Sequence, residues 1–313
     1  MKIFVITGGI IGIPTLQELI KANLVCGIGV PAEPNQYIQQ IVQMGKQASL
    51  PTIQLQKKTL KRTLTQVIDQ QKPAIVLVLT FPYKIPSQVL NLPKFGFLNY
   101  HCAKLPNYRG PHPNFWEIKN KEAYSAITVH QMDKDFDTGP IVYEEKVRIE
   151  PQFTHGMLII KHSYMAIKAT QMVLMQLQTG KLITKPQSTQ GATYYPAPIW
   201  RDLVIDWTKP SSDIKALIRA ANPGYQGAIT SILGMTLRVY ACSGTNVTNE
   251  DQKPAGTILT LNATDGLCVA CINGSALRLD ILALEEGIFL GQNLGKIGLE
   301  VGQQFQIAQP SLR

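Results

Sequence analysis

The chain has 313 residues, of which 45% are hydrophobic and 16% are charged. This length and composition predict a folded protein of two domains and exclude a disordered chain. The net charge of +9 is uneven, because residues 209–313 hold eight Lys/Arg and eight Asp/Glu. The remaining residues therefore carry the whole excess, which is typical of binding to nucleic acid or to anionic small molecules.

The N-terminal segment MKIFVIT predicts a strand, followed by a glycine turn and by the helical segment TLQELIKA. The segment lacks the long apolar region and cleavage site of a signal peptide. LVCGIGV predicts a second strand. The turn GGIIG does not have the GxGxxG spacing and no acidic residue ends the second strand, so a dinucleotide site is not expected. No apolar run reaches the ~18 residues of a membrane helix, and we expect a cytoplasmic protein.

Helices and strands continue to alternate along the first half. Residues 35–48 and LKRTLTQVIDQ predict helices, and PAIVLVLT and FGFLNYH predict strands. The cluster KKTLKR at residues 57–62 is the densest basic segment and fits a solvated helix face. This alternation predicts an α/β domain with an open, mostly parallel, Rossmann-like sheet.

Beyond this point the pattern changes. SAITVHQM and PIVYEEKVRI predict a hairpin, and residues 154–181 predict a long helix. We assign residues 1–182 to the first domain and the proline-rich residues 183–208 to a linker. Short strands separated by turns then predict a small all-β, barrel-like domain of OB type over residues 209–313.

The five cysteines are an odd number and suggest free thiols in a reducing compartment. Cys268 and Cys271 form a CxxC without a second ligand pair. On a strand these two side chains point to opposite faces, which is poor geometry for one metal ion. We expect them to pack in the core and predict no metal site.

An amide and an imidazole close the strand FGFLNYH. Asn99 and His101 are two residues apart and share a face of the strand. In open α/β sheets, sites form beyond the carboxyl ends of the strands. The predicted hairpin loop DKDFDTGP carries three carboxylates that can fold against this end, Asp133, Asp135 and Asp137.

These groups suit the attack of an amine on an acyl carbon. The amide donates to the developing oxyanion, and the imidazole moves protons or stabilises the oxyanion when charged. A carboxylate sets the tautomer of the imidazole and raises its pKa. Cys102 faces away from His101, which does not favour a cysteine nucleophile. A single histidine on a strand is also compatible with a structural role.

The motifs NYHCAKLPNYRGPHP and TVHQMDKDFDTGPI resemble those of the 10-formyltetrahydrofolate-dependent formyltransferases. Further along, IDW and IRAANPGYQGA are similar to the start of the C-terminal domain in methionyl-tRNA formyltransferases. The resemblance therefore spans nearly the whole chain. It implies that Asn99, His101 and Asp137 form the catalytic trio.

The resemblance also implies 10-formyltetrahydrofolate as co-substrate. The loop LTFPYKIP, with Phe81, Tyr83 and Ile85, would line the pterin pocket, and the loop with Asp133 and Asp135 would form its other wall. Lys104 and Arg109 are candidates for binding a phosphate of the acceptor or for capping their own loop.

Two departures from the methionyl-tRNA formyltransferases bear on the acceptor. Their basic insertion after the second strand is missing, and their Ser-Leu-Leu-Pro segment is Ala-Lys-Leu-Pro here. Contacts to phosphates dominate nucleic-acid affinity, so tRNA is disfavoured. We expect a small primary amine, for example on an amino-sugar nucleotide. The alternatives are initiator methionyl-tRNA, water (a donor hydrolase) and folate binding without catalysis. The sequence leaves the oligomeric state open.

Overall fold

The computed structural model describes residues 1–309, and the chain divides into two compact units. Unit 1 comprises Met1–Pro113, Tyr124–Arg148 and Leu158–Tyr195. Unit 2 comprises Asn114–Ala123, Ile149–Met157 and the described residues from Pro196 onward. Residues 183–195, which the sequence assigned to a linker, therefore lie in unit 1.

The strands of unit 1 are β1 (Ile3–Thr7), β2 (Val25–Pro31), β3 (Thr52–Leu55), β4 (Ile75–Leu79), β5 (Phe97–His101), β6 (Tyr124–Gln131) and β7 (Ile141–Arg148). Along the chain, the α-helices are α1 (Ile13–Lys21), α2 (Gln36–Gln47), α3 (Leu60–Gln71), α4 (Ser87–Leu90), α5 (Pro113–Lys119), α6 (His155–Gln178), α7 (Trp200–Leu203) and α8 (Ser211–Ala221).

The sheet of unit 1 has the order β3-β2-β1-β4-β5-β6-β7. Strands β3 to β5 are parallel, whereas β6 and β7 are antiparallel. The open, mostly parallel sheet predicted from the sequence is thus confirmed. Chain order reverses between β1 and β4, and in such sheets this reversal opens a crevice at the carboxyl ends of the strands. The edge strand β3 was missed, because four residues are too few for a clear period.

The core of unit 1 covers both faces of the sheet, because successive side chains of a strand alternate between faces. Ile3 and Val5 belong to one buried cluster, while Phe4 and Ile6 belong to the other. Phe4 fits only because its neighbour on β2 is a glycine: a Cβ at Gly27 would lie 2.9 Å from the Phe4 ring. A central strand buried on both faces explains the unbroken apolar run of β1.

In unit 2, the strands are β8 (Ala228–Ile232), β9 (Met235–Ser243), β10 (Ile258–Asn262), β11 (Gly266–Ala270), β12 (Ala276–Leu284) and β13 (Gly287–Leu290). They form an antiparallel sheet of order β10-β11-β12-β9-β8, and β13 pairs with β12. The small β domain predicted for the C-terminal part is therefore confirmed, with α8 preceding its first strand. Cys268 and Cys271 are buried, free thiols.

None of the helices within residues 1–309 combines the length and apolar character that a membrane crossing needs. Within the same residues, no group of three His, Cys, Asp or Glu side chains is placed to hold a metal ion.

One buried histidine gives unit 1 a pH dependence. His162 on α6 is fully buried, and its Nε2 lies 3.2 Å from Oγ of Ser125 on β6. Burial, with a smaller contribution from the charge of His101, lowers the pKa of His162 to about 3. In the unfolded chain this histidine has an ordinary pKa of ~6.5. Below that pH it is therefore protonated in the unfolded chain while it stays neutral in the folded chain.

We therefore expect the free energy of unfolding to fall as pH drops from ~6.5 toward 3, by at most about 1.4 kcal/mol per pH unit for this group. Urea unfolding of the wild type and of His162→Gln at a series of pH values between ~6.5 and 3 measures this fall in the free energy of unfolding. The variant should show a shallower fall, and identical slopes for both proteins would contradict the assignment.

Candidate active site

Three polar side chains meet where β5 and β6 run side by side. Asn99 and His101 are two residues apart on β5 and therefore lie on the same face of the strand, as the sequence predicts. The antiparallel register places His130 of β6 opposite Asn99, and Nδ2 of Asn99 lies 3.2 Å from Nε2 of His130. His130 was not among the predicted site residues, because its proximity arises from strand pairing and not from sequence spacing.

The carboxylate of Asp137 lies at the centre of this cluster. Its Oδ1 accepts a hydrogen bond from Nδ2 of Asn99 at 3.1 Å and lies 3.3 Å from Nε2 of His130. The same oxygen is 3.6 Å from Nδ1 of His101, and Oδ2 accepts from the Gly110 N–H at 2.9 Å. The structure thus brings the predicted trio of Asn99, His101 and Asp137 together in one contact network.

Electrostatics keep this carboxylate ionised. Burial alone would raise the pKa of Asp137, but His101, His130 and the Gly110 N–H together hold it well below its usual range. For His101, burial is the larger effect and lowers its pKa, although the negative charge of Asp137 acts in the opposite direction. The site therefore pairs a charged carboxylate with an imidazole that is neutral near pH 7.

Strained backbone supports the cluster. Nε2 of His101 donates to the carbonyl of Tyr108 at 2.8 Å. Tyr108 and Asp137 both adopt positive φ angles, of 55° and 56°. Such conformations cost free energy in residues other than glycine and are concentrated at functional sites. Gly110 has a φ of 100°, and a Cβ there would lie 2.3 Å from the Tyr195 carbonyl oxygen, so this position requires glycine.

A segment that the sequence assigned to the linker braces the loop after β5. The Arg109 N–H donates to the Thr193 carbonyl at 3.0 Å, and the Tyr195 N–H donates to the Arg109 carbonyl at 2.9 Å. The Tyr108 ring stacks on Tyr195 with centroids 4.9 Å apart. The segment thus supports the loop that carries the site, although its prolines predict only an irregular connection.

Gln187 of this segment bonds to two loops of the site. Its Nε2 donates to the carbonyls of Asp137 and Gly139, at 2.8 and 2.7 Å. Its Oε1 accepts from Nε and Nη2 of Arg109, at 3.3 and 2.7 Å. One amide therefore holds both the Asp137 loop and the loop after β5. No motif in the sequence signalled this role.

Of the predicted pocket residues on the loop after β4, Phe81 and Tyr83 are half-buried and their rings meet edge to face at 5.1 Å. Tyr83 also donates to Glu33, in the connection between β2 and α2. Ile85 is buried in the core beneath. The Ile85 side chain therefore packs in the core, and a pterin contact of this residue stays a prediction.

The opposite loop has its own internal order. Oδ1 of Asp133 accepts from the Asp135 N–H at 3.0 Å and from the Thr138 hydroxyl at 2.6 Å, so Asp133 shapes the loop. Asp135 is exposed and lies 3.9 Å from Nζ of Lys84 on the loop after β4. This ion pair connects the two predicted walls.

The two predicted substrate cations differ. Arg109 is half-buried and held by Gln187, which favours a role in fixing the loop. Lys104 is exposed on the same loop. A phosphate-binding role for either side chain stays a prediction.

The chain matches family models and known proteins along most of its length. The formyl transferase family model matches residues 17–170, and the model of the formyl transferase C-terminal domain matches residues 201–291. The methionyl-tRNA formyltransferase of Geobacter metallireducens is 31% identical over 279 residues, which cover 87% of each chain. That of Aromatoleum aromaticum is 33% identical over 241 residues, covering 75% of this chain and 73% of that protein.

Solved structures share the fold at lower identity. WlaRD, a sugar 3N-formyl transferase solved in the presence of dTDP and 5-N-formyl-THF, has a TM-score of 0.67 at 17% identity, covering 88% of this chain and 96% of that one. An N-formyltransferase from Helicobacter canadensis, solved with folinic acid and dTDP-3-aminofucose, has a TM-score of 0.66 at 17% identity, covering 89% and 98%. The cluster at the ends of β5 and β6, the two matching domain models and the near full-length relatives together show that this chain belongs to the formyltransferase family.

Proposed function

We propose that this protein transfers a formyl group from 10-formyltetrahydrofolate to a primary amine. The observation that carries the proposal is the network of half-buried Asn99 with buried His101 and Asp137: an amide donor, a neutral imidazole and an ionised carboxylate. Family membership supports this reaction, as do the related structures solved with formylated folates.

The residues of the site fit a folate donor. The backbone of the loop after β4 and the hairpin loop around Asp135 offer donors and acceptors that suit a pterin edge. Thr80, at the start of the first of these loops, adopts a positive φ of 69°, which turns the chain away from β4. Phe81 and Tyr83 add an aromatic surface beside it.

The chemistry follows from the placement of each group. The amine nitrogen forms a bond to the formyl carbon, the bond from that carbon to N10 of the donor breaks, and one proton passes from the amine to N10. Asn99 donates to the oxyanion that forms on the way. His101, with Nε2 committed to the Tyr108 carbonyl, accepts the amine proton at Nδ1. Asp137 faces Nδ1 and stabilises the resulting imidazolium.

For the acceptor, we propose a small primary amine, such as that of an amino-sugar nucleotide. The strand β2 ends at Pro31 and α2 begins at Gln36, so only residues 32–35 connect them and none is basic. Residues 209–313 hold equal numbers of basic and acidic side chains. Both observations weaken the case for a polyanionic acceptor, since phosphate neutralisation dominates nucleic-acid binding.

Initiator methionyl-tRNA is the second candidate. It is favoured by the relatives, which are methionyl-tRNA formyltransferases and match the chain across both domains. The uneven distribution of charge leaves the excess of basic residues outside residues 209–313, where it could still contact RNA.

Donor turnover with different acceptors separates these candidates. We would follow the absorbance change of 10-formyltetrahydrofolate with charged initiator methionyl-tRNA, with a panel of amino-sugar nucleotides and small amines, and with no acceptor. Turnover with a small amine supports the proposal. Turnover with tRNA alone would show that the acceptor is methionyl-tRNA and not a small amine. Formate release without any amine would show that the protein hydrolyses the donor and does not transfer the formyl group.

Asn99→Ala should reduce the rate of formyl transfer by roughly 10²–10³, because the oxyanion loses its donor. Single-turnover kinetics with saturating donor measure this loss. Asn107→Ala is the matched control, since Asn107 is exposed on the following loop and should keep the wild-type rate. An Asn99→Ala protein that folds and retains the wild-type rate would refute the oxyanion role.

Gln187→Ala should lower the turnover number by up to about a hundredfold, because both loops that it holds are free to shift by around an ångström. The folded state should persist, as checked by thermal unfolding. Gln190→Ala, on the exposed part of the same segment, is the control and should behave as wild type. Equal turnover numbers for both variants would show that Gln187 does not position the site.

A further inference from the structure

A cavity of about 320 Å³ lies within unit 2, between residues 151–154, helix α8 and strand β9. Its volume is in the range of small-molecule sites. Its polar lining includes Gln152, Thr154, Lys215, Arg219, Asn222 and Ser243.

The lining of this cavity is positive. Lys215 and Arg219 are four residues apart on α8 and therefore project from the same face of the helix. Within residues 1–309, no carboxylate lines the cavity or lies within ion-pair distance of either cation. This local charge contrasts with the balanced charge of residues 209–313 as a whole.

The guanidinium of Arg219 is only partly satisfied. Its Nη1 donates to the carbonyls of Glu150 and Phe153, at 3.4 and 3.1 Å. Its Nε is buried and has no hydrogen-bond partner in the described part of the chain. Both contacts of Nη1 are to neutral carbonyl oxygens, so they leave the positive charge of the guanidinium unneutralised.

Neighbouring groups do not supply the missing negative charge. Asp280 is engaged by Nε of Arg278 and by the hydroxyl of Ser243, both at 3.1 Å. Burial raises the pKa of the Cys242 thiol to about 12, so this group stays neutral. The two cations of α8 are thus left for a ligand.

We propose that this cavity binds the phosphate group of a small phosphate ester. Two cations one helical turn apart match a dianion better than a single carboxylate. The cavity leaves room beyond the phosphate for a small organic group beside Ile218 and Tyr240. The site is separate from the Asn99 cluster in its residues and does not depend on the proposed function.

Isothermal titration calorimetry on the full-length chain tests this site with three probes: inorganic phosphate, a nucleoside monophosphate and succinate. We expect saturable binding of both phosphate probes and weaker binding of succinate. Lys215→Gln should raise the dissociation constant about tenfold or more, since a charge-assisted contact is lost. Lys209→Gln is the control, because it removes the same charge from an exposed position outside the cavity.

Arg219→Gln is a second variant, with thermal unfolding as the check that the loss of its carbonyl contacts leaves the unit folded. Lys215→Gln alone decides the matter if Arg219→Gln does not fold. The site is refuted if neither phosphate probe binds saturably, or if Lys215→Gln binds them as the wild type does. Succinate binding as tight as phosphate would contradict the choice of a phosphate.

Discussion

The buried negative charge of Asp137 is the constraint on which the site depends. A carboxylate removed from water must be surrounded by donors or cations, or it becomes protonated. Here the Gly110 N–H and the Asn99 amide donate to it, and the imidazoles of His101 and His130 lie within 3.6 Å of it. The same contacts that keep Asp137 charged also fix the amide and His101 in place, so charge and geometry depend on each other.

The second requirement is a backbone that can hold these groups. Tyr108 and Asp137 both occupy left-handed conformations, which the surrounding structure has to enforce. The enforcement comes from residues distant in the chain: the bonds of residues 193–195 to the loop after β5, and the amide of Gln187. A rigid sheet supplies β5, while a non-repetitive segment completes the site, as is common where loops carry function.

How much the sequence could predict follows from the range of each interaction. Asn99 and His101 were predicted because strand alternation is local, and Asp137 because a family motif marks its loop. His130 was missed because its place opposite Asn99 depends on the register of two antiparallel strands. Gln187 was missed because a proline-rich segment has no period from which packing can be inferred.

The central claim, that an ionised Asp137 organises the reacting groups, is tested most directly by Asp137→Asn. This change keeps the size of the side chain and removes its charge. Donor binding by calorimetry and single-turnover kinetics with the acceptor found in the panel give the result. We expect donor binding within a few-fold of wild type and a loss of transfer of at least about 10². Wild-type transfer by a folded Asp137→Asn protein would contradict the claim.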